Sequence, residues 1–338
     1  MKYLSKKILK NLREPILLEN KIINTSISIG FSIYPHAGKD IETLIKNADI
    51  AMYKAKENGK NSFAVFEKES HSNIKKEFDL TNDMISAINN NEFKLFYQPK
   101  MEYIGEKAVI VGLEALIRWF HPQKGLIFPD VFIPIAERSG YISNIFLWVL
   151  NEVCNQQKKW NRKGQDFNIS INFSAQRFGQ DNIYSNMSKI LESTGVDPKK
   201  ISIEIDEKYL AKNIETSIEM LNYMKQLGIN VTIDHFGINY SSLNYLRSLP
   251  VNGMKIDMSF INGIGNNTKD EAIIVALIEL CKSTDIDIIA EGVETKEQYE
   301  FLIAHDLKKM QGYYFYKPMP TEDIEKIAEL EFDDFIAD

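Results

Sequence analysis

Between residues 94 and 314 the chain repeats one pattern: a short run rich in β-branched and aromatic residues, followed from the third run onward by a stretch with helical spacing. The runs are KLFYQPKM (94–101), AVIVGLEALIRW (108–119), NISINFS (168–174), ISIEID (201–206), NVTID (230–234), GMKID (253–257), DIIAEG (287–292) and KMQGYY (309–314). Strands separated by helical segments such as 215–227 and 270–283 are expected to run parallel, because each helix crosses back over the sheet before the next strand begins. Eight such strands fit a closed barrel. The first two follow each other too closely for a crossover helix and should pair antiparallel. The predicted fold class is therefore α/β, a (β/α)8 TIM-like barrel with an antiparallel first strand.

Ahead of the barrel, NTSISIGFSIYP (24–35) reads as a strand or a tight strand pair closed by Pro35. In DIETLIKNADIAMYKAKENGKN (40–61), Ile41, Leu44, Ile45, Ala48, Ala51, Met52 and Ala55 recur at helical spacing and Gly59 stops the helix. The strand SFAVF follows, and a polar helical connector over 67–91 leads to the barrel. A strand, helix and strand make a small α+β fragment, too small for an independent domain, whereas 338 residues in all suffice for a barrel with an appendage.

Composition excludes several classes. With 44% hydrophobic residues, 26% charged residues and a net charge of −7, the chain is globular and has no general attraction to nucleic acid or acidic lipid. Any phosphate-bearing ligand must be held by local groups. The longest apolar runs, 145–150 and 272–280, fall far short of a membrane span, and no signal-peptide pattern opens the chain, so it is read as cytoplasmic. Cys154 and Cys281 match no metal or disulfide spacing and are expected to be small buried hydrophobes.

Barrel chemistry sits at the carboxyl ends of the strands. There this chain carries Glu114, Asn172, Glu204, Asp234, Lys255, Asp257 and Glu291. Inward barrel positions ordinarily hold apolar side chains, and each buried charge needs a partner, which a metal supplies. Glu114, Asn172, Glu204 and Asp234 form an all-oxygen set suited to Mg²⁺ or Mn²⁺. Lys255 and Arg118 add the positive charge a phosphodiester needs, and Glu291 can serve as a base for water. These residue types point to metal-assisted phosphoester hydrolysis; a sugar- or carboxylate-processing barrel using Lys255 covalently stays open on the same evidence.

The motifs YQPKM, LEALIRW, HPQKGLIFPDVFIPIAERSG, INFSAQRF, IEIDE, IDHFG, YSSLNYLRSLPV, MKIDMSFI, AEGVET and MQGYYFYKP follow one another in an order and spacing that resemble the EAL-domain phosphodiesterases, which hydrolyse cyclic di-GMP to linear pGpG. The resemblance covers about residues 75–330. It implies that Glu114, Asn172, Glu204 and Asp234 are metal ligands with Asp257 behind them, and that Gln98 and Arg118 hold the dinucleotide. It further implies that Lys255 and Glu291 align and activate water, that Glu294 and Gln311 line the site, that Glu207 anchors a loop, and that the chain forms a homodimer. The first segment, through SISIGFSIYP and ADIAMYKAKENGKN, resembles the last third of a GGDEF diguanylate cyclase domain without the signature that binds GTP. The expected organisation is a truncated GGDEF part at 1–68, a helical connector at 69–91 and the EAL barrel at 92–334.

One stretch departs from the family. Where active members read DDFGTGYSS, this chain reads DHFGINYSS, so His235, Ile238 and Asn239 replace Asp, Thr and Gly, and Asp206 stands where Thr is usual. The missing carboxylate helps bind a second metal, and imidazole suits Mn²⁺ better than Mg²⁺. His235 is expected to face solvent or to donate a hydrogen bond beside the metal ligands rather than to ligate. Three functions follow: a phosphodiesterase of reduced or Mn²⁺-restricted turnover, a non-catalytic cyclic di-GMP receptor acting through dimer or partner contacts, and an interaction module without ligand.

Overall fold

The computed structural model describes residues 5, 7–9, 16–18, 21–23, 26–57, 61–66, 68–105, 107–174, 182–211, 213–238 and 248–328. The chain divides into two compact units, Met1–Asp83 and Met84–Asp338. In the first, β1 (Ile16–Leu18) and β2 (Lys21–Ile23) pair antiparallel, while β3 (Ile29–Phe31) pairs in parallel with β4 (Phe63–Val65). Helix α1 (Ile41–Glu57) is the crossover between β3 and β4. Gly30 lies so close to it that a Cβ there would meet Ala48 O at 2.0 Å, which is why that strand position carries no side chain. The β1–β2 hairpin had no counterpart in the sequence reading. Helix α2 (Lys68–Asn89) carries the chain into the second unit.

The second unit is the expected barrel. Its strands are β5 (Phe93–Ile104), β6 (Lys107–His121), β8 (Ile169–Phe173), β9 (Ile201–Asp206), β10 (Asn230–Phe236), β11 (Gly253–Ile256), β12 (Asp287–Glu291) and β13 (Lys309–Gln311). They are hydrogen-bonded in the order β5-β13-β12-β11-β10-β9-β8-β6, and β6 returns to β5, which closes the ring. β5 runs antiparallel to both neighbours and the other barrel pairs are parallel. Gly105, at φ 66, supplies the left-handed turn that lets β5 and β6 form a hairpin. A short edge strand, β7 (Gly125–Ile127), extends β6 and was absent from the sequence reading.

Crossover helices cover the barrel. In α3 (Pro129–Ser139) Phe132, Ile135 and Ala136 are buried, and Gly140 ends it at φ 85. Helix α4 (Ile142–Arg162) buries Ile145, Val149, Val153 and Trp160 among others. This is the i, i+3, i+4 stripe of a helix packed on a sheet. Helices α5 (Ile183–Thr194) and α7 (Ile214–Gln226) are the crossovers after β8 and β9. Cys154 and Cys281 lie in these apolar layers, where burial pushes their thiols up to about 11 and about 12. Among the described residues no helix is long and apolar enough to cross a membrane.

Side chains along a strand alternate between lumen and helix layer. The helix-facing positions, such as Leu113, Ile171, Ile203, Ile233, Met254 and Ala290, are buried and apolar. The alternate set therefore faces the lumen, and at Gln98, Lys100, Glu114, Glu204, Asp234, Lys255, Glu291 and Gln311 it is polar.

Candidate functional site

Glu114 on β6, Glu204 on β9, Asp234 on β10 and Lys255 on β11 are all buried, and Lys255 is fully enclosed. The Lys255 ammonium lies 2.6 Å from Glu204 Oε2, 3.2 Å from Glu114 Oε2 and 3.9 Å from Asp234 Oδ1, and it pairs directly with Glu291. Burial alone would lower its pKa, but the Asp234, Glu114, Glu204 and Glu291 carboxylates outweigh burial and hold it well above the ordinary lysine value. Glu204 is buried too, which would raise its pKa, yet Lys100 and Lys255 hold it below the carboxylate norm. Asp234 is likewise depressed, by Lys255 and His235 against burial. Glu291 goes the other way: burial, with the Asp234, Glu114 and Glu204 charges, pushes it well up.

Four carboxylates, Glu114, Glu204, Asp234 and Glu291, converge on the Lys100 and Lys255 ammonium groups. Ligand atoms of Glu114, Glu204 and Glu291 lie within 4.8 Å of one another, and so do those of Asp234, His235 and Glu291. Gln311 donates to Glu114 Oε2 at 2.7 Å and to Gln98 Oε1 at 3.0 Å. Its own Oε1 is buried with no donor among the described residues. Clustered hard oxygen donors and an orphaned buried oxygen fit a divalent cation of the Mg²⁺ or Mn²⁺ type. Asn172, though exposed, is tied to the cluster by its Nδ2, which donates to Glu114 Oε1 at 2.7 Å.

Other residues named from sequence lie around this cluster. Gln98 donates to Tyr316 O at 2.9 Å, and Asp257 caps α8 (Met258–Ile261) through the Ser259 N–H at 2.7 Å. Arg118 is half-buried, with its guanidinium 5.6 Å and 5.8 Å from the Phe96 and Phe128 ring centres; burial lowers its pKa. Glu207, fully buried in the short helix α6 (Glu207–Leu210), accepts from Gly237 N at 3.2 Å and so ties the turn after β10. Glu294 is exposed, and no described contact joins its carboxylate to the cluster.

His235 combines the two arrangements expected of it, a ring partly open to solvent and a hydrogen bond donated beside the candidate metal ligands. Its backbone is left-handed, φ 54, and its N–H donates to Asp234 Oδ1 at 2.8 Å. The ring turns back between two carboxylates, Nδ1 3.2 Å from Asp234 Oδ2 and Nε2 3.8 Å from Asp257 Oδ2, while 45% of the side chain stays exposed. The adjacent Asp234 carboxylate outweighs burial and lifts the imidazole to about 9. Asp206 caps α6 through the Lys208 N–H at 2.9 Å and pairs with Lys208 Nζ at 2.5 Å. Its charge is therefore already matched locally. Ile238 is 51% exposed, and Asn239 lies outside the described residues.

Two features escaped the sequence reading. Lys100, two residues beyond Gln98 on β5, donates to Ser170 Oγ at 2.6 Å and pairs with Glu204; the alternation of Gln98 and Lys100 on one strand face is the signal that was there to find. Glu137 of α3 accepts from Ser174 Oγ at 2.6 Å and Tyr209 OH at 2.9 Å, bracing the end of β8 against α6. Tyr209→Phe deletes one of these bonds without changing shape, and is expected to lower unfolding free energy by about 0.5–1.5 kcal/mol in a urea titration. An unchanged midpoint would show the brace to be slack.

Residues 81–318 match the EAL domain family, and residues 1–62 match the diguanylate cyclase GGDEF domain family. The chain is 36% identical over 322 residues to the bifunctional diguanylate cyclase/cyclic di-GMP phosphodiesterase MucR of Pseudomonas aeruginosa, covering 95% of this chain and 47% of that protein. It is 33% identical over 323 residues to the cyclic di-GMP phosphodiesterase PdeR of Escherichia coli, covering 96% and 48%. The chain thus spans about half the length of these relatives. The solved phosphodiesterase part of MucR in complex with c-di-GMP superposes with a TM-score of 0.69 at 36% identity, covering 73% of this chain and 99% of that one. The barrel, its antiparallel first strand and its ring of lumen carboxylates thus belong to a chain of the EAL domain family, joined at its amino-terminal side to a segment of GGDEF type.

Proposed function

We propose that the barrel binds cyclic di-GMP and hydrolyses it to linear pGpG with a divalent cation, at a rate limited in Mg²⁺ by His235. The observation that carries this reading is the Lys255 cluster, whose carboxylates fall into two cation-sized groups sharing Glu291. Glu114, Asn172, Glu204 and Asp234 would hold the cation, backed by Asp257. When bound, it would polarise a phosphoryl oxygen and acidify a water. Arg118 and Gln98 would clamp the dinucleotide, Glu294 and Gln311 would line the pocket, and Lys255 with Glu291 would align the attacking water and take its proton. Once its imidazole gave up its proton, His235 would bring a nitrogen donor to the second group, which suits Mn²⁺ better than Mg²⁺. The reading places the chain in the cytoplasm as a homodimer, with a GGDEF part at 1–68, a connector at 69–91 and the barrel at 92–334.

A second reading, a cyclic di-GMP receptor without turnover, draws on one observation: a single carboxylate, Asp234, remains where active relatives carry two in succession. Chromatography of cyclic di-GMP incubated with the purified chain in Mg²⁺ and in Mn²⁺, against a Glu114→Ala blank, separates the two. Linear product above the blank, more in Mn²⁺ than in Mg²⁺, is expected. Saturable binding without product would establish the receptor, and folded protein giving neither would overturn both readings.

A further inference from the structure

Below the carboxylate cluster the lumen is hollow. TIM-type barrels ordinarily fill such a layer with branched apolar side chains. Here the inward positions Gly112, Ser170, Ser202, Thr232 and Gly253, with Ile289 as the one branched apolar side chain among the inward positions, line an open-mouthed cavity of about 500 Å³ that reaches up to Lys100. Lys100 is itself buried and forms the ceiling. Its ammonium is fixed from one side by Ser170 Oγ at 2.6 Å and pairs upward with Glu204 Oε1. The other Glu204 oxygen, Oε2, accepts from Lys255 at 2.6 Å. Each oxygen of this buried carboxylate thus has its own ammonium.

We propose that Lys100 is a positioning residue for cation binding: it holds Glu204 Oε1 toward the base of the barrel, so that Glu204 offers only Oε2 to the cluster, and its positive charge loosens the grip on a divalent cation. This rests on the reading above that Glu204 is a metal ligand. The physical case has two parts. An ion pair with an ammonium that is itself hydrogen-bonded fixes a carboxylate's rotamer more firmly than packing alone, and the glycines and hydroxyl residues of this layer provide little packing. A cation in contact with a ligand also repels a second cation in the same enclosed space, where screening by water is weak. Position and affinity therefore pull in opposite directions at one residue, a combination that a side chain serving only to fill space would not give.

The test is a Mn²⁺ titration of the whole chain, read by calorimetry or water-proton relaxation, on wild type, Lys100→Met and Lys100→Gln, with kcat for cyclic di-GMP measured alongside. Lys100→Met removes both charge and donor; about tenfold tighter Mn²⁺ binding with about tenfold lower kcat is expected. Lys100→Gln keeps an N–H donor near Glu204 without the charge, so tighter Mn²⁺ binding with most of kcat restored is expected. In a Glu204→Gln background, Lys100→Met should still tighten Mn²⁺ binding through the lost charge but should lower kcat no further, because the carboxylate it positions is gone. Where no turnover is seen in wild type, the affinity changes decide alone. Unchanged Mn²⁺ affinity in Lys100→Met, weaker binding in both variants, or failure of Lys100→Gln to fold would overturn the proposal in favour of a structural lysine. A wild-type chain that takes up no Mn²⁺ would instead sink the metal-site reading, and the proposal with it.

Discussion

Lys255→Met should lower the stability of the metal-free chain by about 3–5 kcal/mol, the range seen when one partner of a buried ion pair is removed. The methionine fills nearly the same volume, so packing contributes little to the loss. What remains is Glu114, Glu204 and Asp234 facing one another in a buried cluster without the ammonium that reaches all of them. Lys100 still neutralises one oxygen of Glu204, and Glu291, already pushed toward its neutral form, gives up less than the others. For a domain of this size the loss corresponds to about 10 °C or more in Tm. Millimolar Mn²⁺ should return part of it, because a cation that binds only the folded form adds stability by mass action. A melting curve that matches wild type, or one that Mn²⁺ fails to move, would mean that Lys255 is not what balances the cluster's carboxylates.

His235→Asp is the second large effect, and it should act on metal rather than on fold. The position is left-handed, φ 54, a region that aspartate tolerates better than most residues, so the backbone does not resist the change. The new carboxylate would stand beside Asp234 and within reach of Asp257, where the imidazole now sits. Mg²⁺ prefers oxygen donors, and its apparent affinity should rise at least tenfold, about 1.4 kcal/mol, with Mg²⁺-supported turnover rising by a similar factor. The metal-free chain should become less stable, since an imidazole paired with Asp234 gives way to a fifth carboxylate. Mg²⁺ titration curves that superpose for the two proteins would show that His235 does not limit cation binding.

The barrel was legible because its polar residues keep strand parity: Glu114, Asn172, Glu204, Asp234, Lys255 and Glu291 each stand at an inward position of an otherwise apolar run, and no solvated surface strand produces that pattern on strand after strand. The hairpin of β5 and β6 followed from loop length alone. What sequence could not give depended on partners far apart in the chain. Glu137 meets Ser174 and Tyr209 across 37 and 72 residues, and nothing local marks α3 as the element that holds them. The turn of the His235 ring depends on its φ and on the Asp234 carboxylate, and both solvent-facing and inward orientations are compatible with the letters DHFG. Asp206 had a local explanation that went unread, an aspartate immediately before EKYL acting as a helix cap. The edge strand β7 was too short to stand out beside the loop that contains it.

Every barrel strand contributes to the cluster: Gln98 and Lys100 from β5, Glu114 from β6, Asn172 from β8, Glu204 from β9, Asp234 from β10, Lys255 at β11, Glu291 from β12 and Gln311 from β13. No strand serves as a spacer. Because side chains alternate with a period of two, gaining or losing one residue within any strand turns that strand's contribution out of the lumen and brings a helix-facing aliphatic in. Loops between the elements carry no such penalty. Descendants of this chain can therefore lengthen, shorten or rebuild their connections freely, while insertions and deletions inside the eight strands are barred to any lineage that keeps the chemistry.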